Sequence, residues 1–295
     1  MLSWYAFNGA LEQGFVYGLT ALGVYLTFRV LDFPDLTVDG SLPLGAAVST
    51  VAITAGWPPA LSILAAAAAG FCAGAVTGLL NTRLHILHLL ASILTMIALY
   101  SVNIRIMGRP NLTLLGKPTV LDAITGLNLS YFGAPLFFGI IALVAGAALV
   151  WFLSTAFGQA MRAAGDNPTM ITAQGVDTRT MIVLGVGLSN ALVAAGGGLV
   201  AQNQGAADVN MGVGTIVAGL ASVIIGETVL GKGGVLRGVA AALVGSVLYR
   251  LAIALALSFK LGSFALTPSD LKLVTALLVV AALVAPQLKT RMRRR

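Results

Sequence analysis

The sequence predicts an all-α integral membrane protein, a polytopic bundle of about nine transmembrane helices (eight to ten). Three observations carry the prediction. First, 58% of the 295 residues are hydrophobic and 9% are charged, with a mean hydropathy of +0.96. A soluble domain carries about 25% charged residues, so this chain cannot cover a water-facing surface. Second, the apolar runs are about 20 residues long, as a helix crossing a hydrocarbon core of about 30 Å requires. Third, the net charge of +7 gathers at turns and in a tail bearing Lys289, Arg291, Arg293, Arg294 and Arg295. In a soluble protein such a cluster would suggest nucleic acid. Here the bias of basic residues toward the cytoplasmic side accounts for it, and no nucleic-acid partner is expected.

In chain order the predicted spans are residues 9–31, 36–55, 58–80, 88–107, 134–155, 181–201, 213–230, 235–259 and 271–285. The first has no Lys or Arg ahead of it, only Glu12 within it, which makes a poor signal peptide and a better retained span. The second opens on Asp35-Leu-Thr-Val-Asp39-Gly40-Ser41-Leu-Pro43, a polar, broken start that suits a half-helix. Small residues recur every fourth position at Ala66, Gly70, Gly74 and Gly78, and at Ala10, Gly14 and Gly18. Such ridges let helix backbones approach closely in lipid. The lone Cys72 excludes an intramolecular disulfide. With the basic tail inside, the turns at Arg29, Arg83, Arg162/Arg179 and Lys232/Arg237 also fall inside, and an odd span count places the N-terminus outside. The connection 109–133 then lies outside, with room for a short amphipathic helix.

The inner segment 158–180 is polar and carries its own helix punctuation. Asn167 suits a helix cap and Pro168 the first helical position, where its missing N–H is no loss. Gly175 suits the left-handed residue past the helix end. A helix of about two turns results, too short to persist unless lodged against the membrane domain or a partner. Such a plug is suited to passing a push from a soluble protein into a membrane protein.

A short echo links Asp39-Gly-Ser-Leu-Pro-Leu-Gly with Asp208-Val-Asn-Met-Gly-Val-Gly, each opening a span with a helix-breaking start. Five spans separate the two, so the second copy would run inverted, a transporter pattern in which paired breaks mark the pathway. Candidate pathway residues are Glu12, Asp39, Ser41, Asn190, Gln202 and Asn210. The amides Asn190, Gln202, Asn203, Gln204 and Asn210 either line a vestibule or face water in a loop. Glu12, Glu227 and Arg250 are ionisable residues inside spans, and each needs a partner or water.

Catalytic constellations are absent. His85 and His88 lack companions to complete a metal site. Gly226-Glu-Thr-Val-Leu-Gly231-Lys232-Gly233 approaches a phosphate-binding loop but has Gly233 where a magnesium-holding hydroxyl belongs, so ATP would bind another chain. No cofactor or metal is expected in this chain.

The inner segment resembles the permease subunits of bacterial ABC importers, of the branched-chain amino acid and ribose type. That family carries G-x-x-x-R-A-x-G-x-N-P-x-x-A-x-x-x-G-I/V, and Gly158, Arg162, Ala163, Gly165, Asn167, Pro168, Gly175 and Val176 match at the same spacing, with Ile171 near the family's Ala. The resemblance runs from about residue 14 to 286. It implies a single permease domain over 1–295, with a cytoplasmic coupling helix in 158–180 and a cytoplasmic tail at 287–295. It also implies a homodimer, two ATPase subunits that supply ATP and magnesium chemistry, and an extracytoplasmic solute-binding protein. All of this would sit in the lipid of a bacterial inner membrane. Arg162, Gly165, Asp166, Asn167, Pro168 and Gly175 would then be the ATPase-coupling residues. The solute would be small and polar, an amino acid or related compound. A sugar or nucleoside permease remains an alternative, as does a self-contained channel or secondary carrier.

Overall fold

A computed structural model of the chain describes residues 4–122, 132–231 and 233–258, with isolated stretches at 260–261, 264–265, 273, 275–277 and 280. Its helices are α1 (Trp4–Tyr25), which runs on into a π-helical turn (Leu26–Val30), α2 (Val38–Thr54), α3 (Pro59–Leu84) and α4 (His88–Met107). They continue with α5 (Gly133–Ser154), α6 (Ala156–Asp166), α7 (Pro168–Ala173), α8 (Thr178–Gln204), α9 (Thr215–Leu230) and α10 (Val235–Ser258). Strands β1 (Asn111–Thr113) and β2 (Ala206–Asp208) pair antiparallel, as do β3 (Lys260–Leu261) and β4 (Phe264–Ala265).

Five of these helices, α3, α4, α5, α8 and α10, are long and apolar enough to cross a membrane. Helices α2 and α9 are apolar but shorter. The expected count of nine therefore narrows, among the described residues, to five long spans. Two shorter apolar helices, of 17 and 16 residues, and the more polar α1 complete the bundle. Of the expected span at 271–285 only residues 273, 275–277 and 280 are described, all helical, and any helix within 123–131 lies outside the described residues.

The bundle is organised around α8. In its most apolar window 67% of the residues are buried, against 28–44% for the other four long helices. Without a hydrophobic drive between helices in lipid, close approach must come from small side chains. The α3 ridge supplies it: a Cβ on Gly70 or Gly74 would strike the carbonyl oxygens of Asn190 or Val186, and one on Gly78 would lie 2.7 Å from the Val183 Cα. The second ridge seats α1 on α10, where a Cβ on Gly14 would lie 2.8 Å from the Val247 Cα. Gly226 and Gly245 play the same part between α9 and α10. Large apolar side chains such as Leu136, Ile140, Leu143 and Val144 of α5 point outward instead.

Candidate functional site: the inner loop and the paired helix breaks

The polar segment 158–180 is built on two helices rather than one. The Thr155 hydroxyl caps α6 by accepting from the Gly158 N–H at 3.2 Å. Met161 and Ala164 turn inward and are buried, while Gly165 is pressed against the Val30 carbonyl of the π turn. The chain then breaks at Asn167, whose side-chain oxygen accepts from the Met170 N–H at 3.0 Å and starts α7, with Pro168 at its first position. Gly175 has φ +88°, the left-handed conformation that costs a β-carbon residue most. Of the six residues of α7 only Ile171 is buried, so this helix rests on a single apolar anchor. Asp177 starts α8, accepting from the Arg179 N–H at 3.1 Å and from the Thr180 hydroxyl. That hydroxyl bond, foremost, holds the Asp177 carboxyl below the usual range. The cap is therefore complete above the ordinary carboxylate pKa and is lost only as pH falls through the lowered value.

Arg162 and Asp166 lie on α6, not on α7. With Tyr25, Arg29 and Gln159 they line a cavity of about 450 Å³. Arg29 is ion-paired with Glu227, so Glu227 ties the π turn to α9. The remaining acid inside a predicted span, Glu12, is half-buried on α1.

The two polar helix breaks meet inside the bundle. The Asp35 carboxylate is fully buried and accepts from the Thr37 N–H at 2.9 Å and the Asn190 side-chain amide at 2.6 Å. Asn190 lies near the middle of α8, so α2 begins at mid-depth and runs parallel to α8 toward Ser49 and Gln202. The Asp39 carboxylate reaches across to the start of α9, accepting from the Gly214 N–H at 3.0 Å and the Ile216 N–H at 2.8 Å. A carboxylate there answers both the open N–H groups and the positive end of the α9 dipole.

The candidate pathway residues do not form one site. Asn190 belongs to the Asp35 knot. Gln202, 2% exposed, clamps three elements: its oxygen accepts from the Val120 N–H at 3.0 Å, and its amide donates to Ser49 Oγ at 3.0 Å and Ser62 Oγ at 3.1 Å. Both amides are buried and donate to buried partners rather than facing water, although the Asn190 side-chain oxygen has no partner among the described residues. Ser41 is buried in α2. Asn210 lines a cavity of about 420 Å³ between α1, α9 and α10, to which Thr275 and Ala276 also contribute.

Residues 6–284 match the family profile described as branched-chain amino acid transport system / permease component. The chain belongs to this permease family. A tyrosine transport system permease protein of Clostridioides difficile (strain R20291) is 37% identical over 284 residues, covering 96% of this chain and 92% of that protein. An uncharacterized protein of Rickettsia prowazekii (strain Madrid E) is 33% identical over 283 residues, covering 93% and 95%. A solved inward-facing structure described as a metal-chelate type ABC transporter matches at 19% identity and TM-score 0.49, over 100% of this chain and 88% of its own, a likeness too loose to argue from. The permease is thus a multi-pass, ABC-type transport subunit for a small solute, and its family implies ATPase subunits as partners and a dimer.

Sequence reasoning missed two features of the permease. One is the β1–β2 pair, which ties the end of α4 to the end of α8. Three-residue strands carry no periodicity to detect. The other is the setting of Arg250. Its guanidinium lies 3.7 Å from the centroid of the Tyr17 ring and donates to Gln13 Oε1 at 3.4 Å. Arg250 stood out as a charge inside a span, but neither partner is near it in sequence.

Proposed function

We propose that this permease forms the membrane pathway of an ATP-driven importer for an amino acid, with an aromatic amino acid such as tyrosine the first candidate. The observation that carries the importer reading is the inner loop. A six-residue helix, capped at both ends by local chemistry and anchored by Ile171, leaves its other side chains free for a docking partner. The substrate part rests on the tyrosine transport relative. The whole chain acts as one transmembrane domain, with 158–180 as its coupling loop. Two copies line the pathway in the inner-membrane lipid, and two ATPase chains bind ATP and magnesium below them. A separate extracytoplasmic protein delivers the solute. Asn167, Pro168 and Gly175 shape the coupling helix; Gly165, Arg162 and Asp166 connect it to the π turn and the cavity beside that turn.

Purified permease, reconstituted in vesicles with its ATPase and binding protein, is expected to take up labelled L-tyrosine only when ATP is supplied to the ATPase side. Uptake without ATP identifies a self-contained carrier and overturns the reading. ATP-driven uptake confined to sugars or nucleosides overturns the amino acid part alone.

Orientation follows from the basic residues, with Arg291–Arg295 inside and the N-terminus outside. A C-terminal reporter fusion is expected to be active only as a cytoplasmic reporter. Activity of a periplasm-dependent reporter at that end reverses the assignment.

A further inference from the structure

The cavity between α1, α9 and α10, lined also by Thr275 and Ala276, holds a charge for which no described residue supplies a countercharge. Arg250 sits two-thirds of the way along α10, half-buried, with its Nε enclosed and without a hydrogen-bond partner. Among the described residues no carboxylate lies within salt-bridge reach of Arg250. Its neighbours are a neutral amide, Gln13, and the face of Tyr17. A cation at such depth costs at least about 2.5–3.5 kcal/mol unless water or an anion attends it. Among the described residues its partners are neutral, as a site for a transient anion requires.

The rest of the lining fits an amphipathic solute. Asn210 and Thr215 add polar groups beside Arg250, while Met211, Val213, Val217 and Ile253 supply apolar wall. The volume of about 420 Å³ falls within the range of small-molecule sites, roughly 300–1,000 Å³. A narrow extension lined by Thr20, Ser222 and Ser246 leads deeper between the same three helices.

We infer that this cavity is the permease's own solute station, where Arg250, held flat by the Tyr17 ring, receives the carboxylate of the amino acid in transit. The inference rests on the amino acid reading above and adds the residue that recognises the carboxylate. An arginine suits the task because its planar fork meets a carboxylate with two parallel N–H groups. Gln13 and Tyr17 are neutral, so they orient the guanidinium without neutralising it, and the anion is released when the helices move.

The test needs no binding protein. Cys72 is the chain's one cysteine, so Cys72→Ser gives a thiol-free background, and Val213→Cys then places a single thiol on the cavity wall. In vesicles of phosphatidylcholine holding the permease with its ATPase, a sulfonate-bearing methanethiosulfonate is expected to outpace its trimethylammonium counterpart. Adding Arg250→Gln should shift that ratio on the order of tenfold toward the cation, as one charge near the thiol does. Arg250→Lys, which keeps the charge, should retain the preference. L-Tyrosine should slow labelling of the parent and tyramine, which lacks the carboxylate, should not. A preference that survives Arg250→Gln, loss of preference in Arg250→Lys, or equal protection by tyramine overturns the inference. So does protection that appears only with phosphatidylglycerol, which assigns the cation to a lipid headgroup. In the complete transporter, Arg250→Gln should keep assembly and ATP hydrolysis but lose L-tyrosine uptake. Parental uptake equal to that of Arg250→Gln removes the inference and leaves the importer intact. A parent that takes up no amino acid removes the functional reading, and the labelling ratio still decides the site.

Discussion

Gly45→Val is expected to abolish assembly of the permease, leaving little monodisperse protein after extraction. Helix α2 lies on α8 with backbone against backbone. A Cβ on Gly45 would strike the Ala194 carbonyl oxygen, and one on Gly197 would strike the Leu42 carbonyl oxygen, so the two helices exclude side chains reciprocally. The atoms struck are main-chain, which no rotamer change can move aside. Overpacking of a core costs typically 1–3 kcal/mol and more where the backbone must shift. Here a shift of α2 also pulls Asp35 from Asn190 and Ser49 from Gln202, leaving buried polar groups unpaired in the interior. Gly139→Ala is the matched control. A Cβ there meets only the Phe15 ring, at 3.5–3.6 Å, which is ordinary contact. Size-exclusion yield and thermal midpoint in detergent should separate the two sharply. If Gly45→Val matches Gly139→Ala, then α2 does not seat on α8 in this way.

What the sequence made legible was local. Asn167, Pro168 and Gly175 each act within four residues of themselves, and the structure places all three where that chemistry puts them. The α4 limits His88–Met107 coincide with the predicted span because a left-handed Gly108 ends the helix. The small-residue ridges could be read as close-packing faces, though not which helix each would meet. Other features depended on partners far along the chain. Helix α6 was hidden because Gly158–Asp166 reads as polar; its buried side appears only once the π turn supplies the Val30 carbonyl for Gly165 to approach. Asn190 looked like a vestibule residue because its partner Asp35 lies 155 residues away. Asp39 was singled out for its polar break, yet its role as the cap of α9 depends on a contact across 175 residues. The echo between the segments at Asp39 and Asp208 did point to two stretches that meet in the bundle. A single sequence specifies that a buried polar group must be answered; it does not say by whom.

Combining Asn167→Ala with Gly175→Val is expected to uncouple the transporter without unfolding it. Losing the Asn167 cap costs about 1 kcal/mol, and forcing a β-branched residue to φ +88° adds roughly 1–3 kcal/mol of strain. A helix of six residues has no reserve to absorb either, since isolated helices shorter than about 12 residues are marginal in water. Ile171 alone would then have to hold the segment in place. Both positions are outside the spans, and neither touches the α3–α8 or α1–α10 seams, so insertion and dimer formation should survive. Stimulation of ATP hydrolysis by the loaded binding protein should fall toward the unstimulated rate, and uptake should fall with it. Gly56→Val separates strain from position: Gly56 also has positive φ, +90°, with open space around it, but it lies in the α2–α3 turn rather than the inner loop. That variant should lose some stability and keep its coupling ratio. ATPase rate and uptake measured together in reconstituted vesicles give the answer. If the double variant transports like the parent, α7 is an ordinary connection and the push from the ATPase enters the bundle elsewhere. The first alternative is then the Arg162–Asp166 face of α6, which borders the cavity beside the π turn and reaches α9 through the Arg29–Glu227 pair.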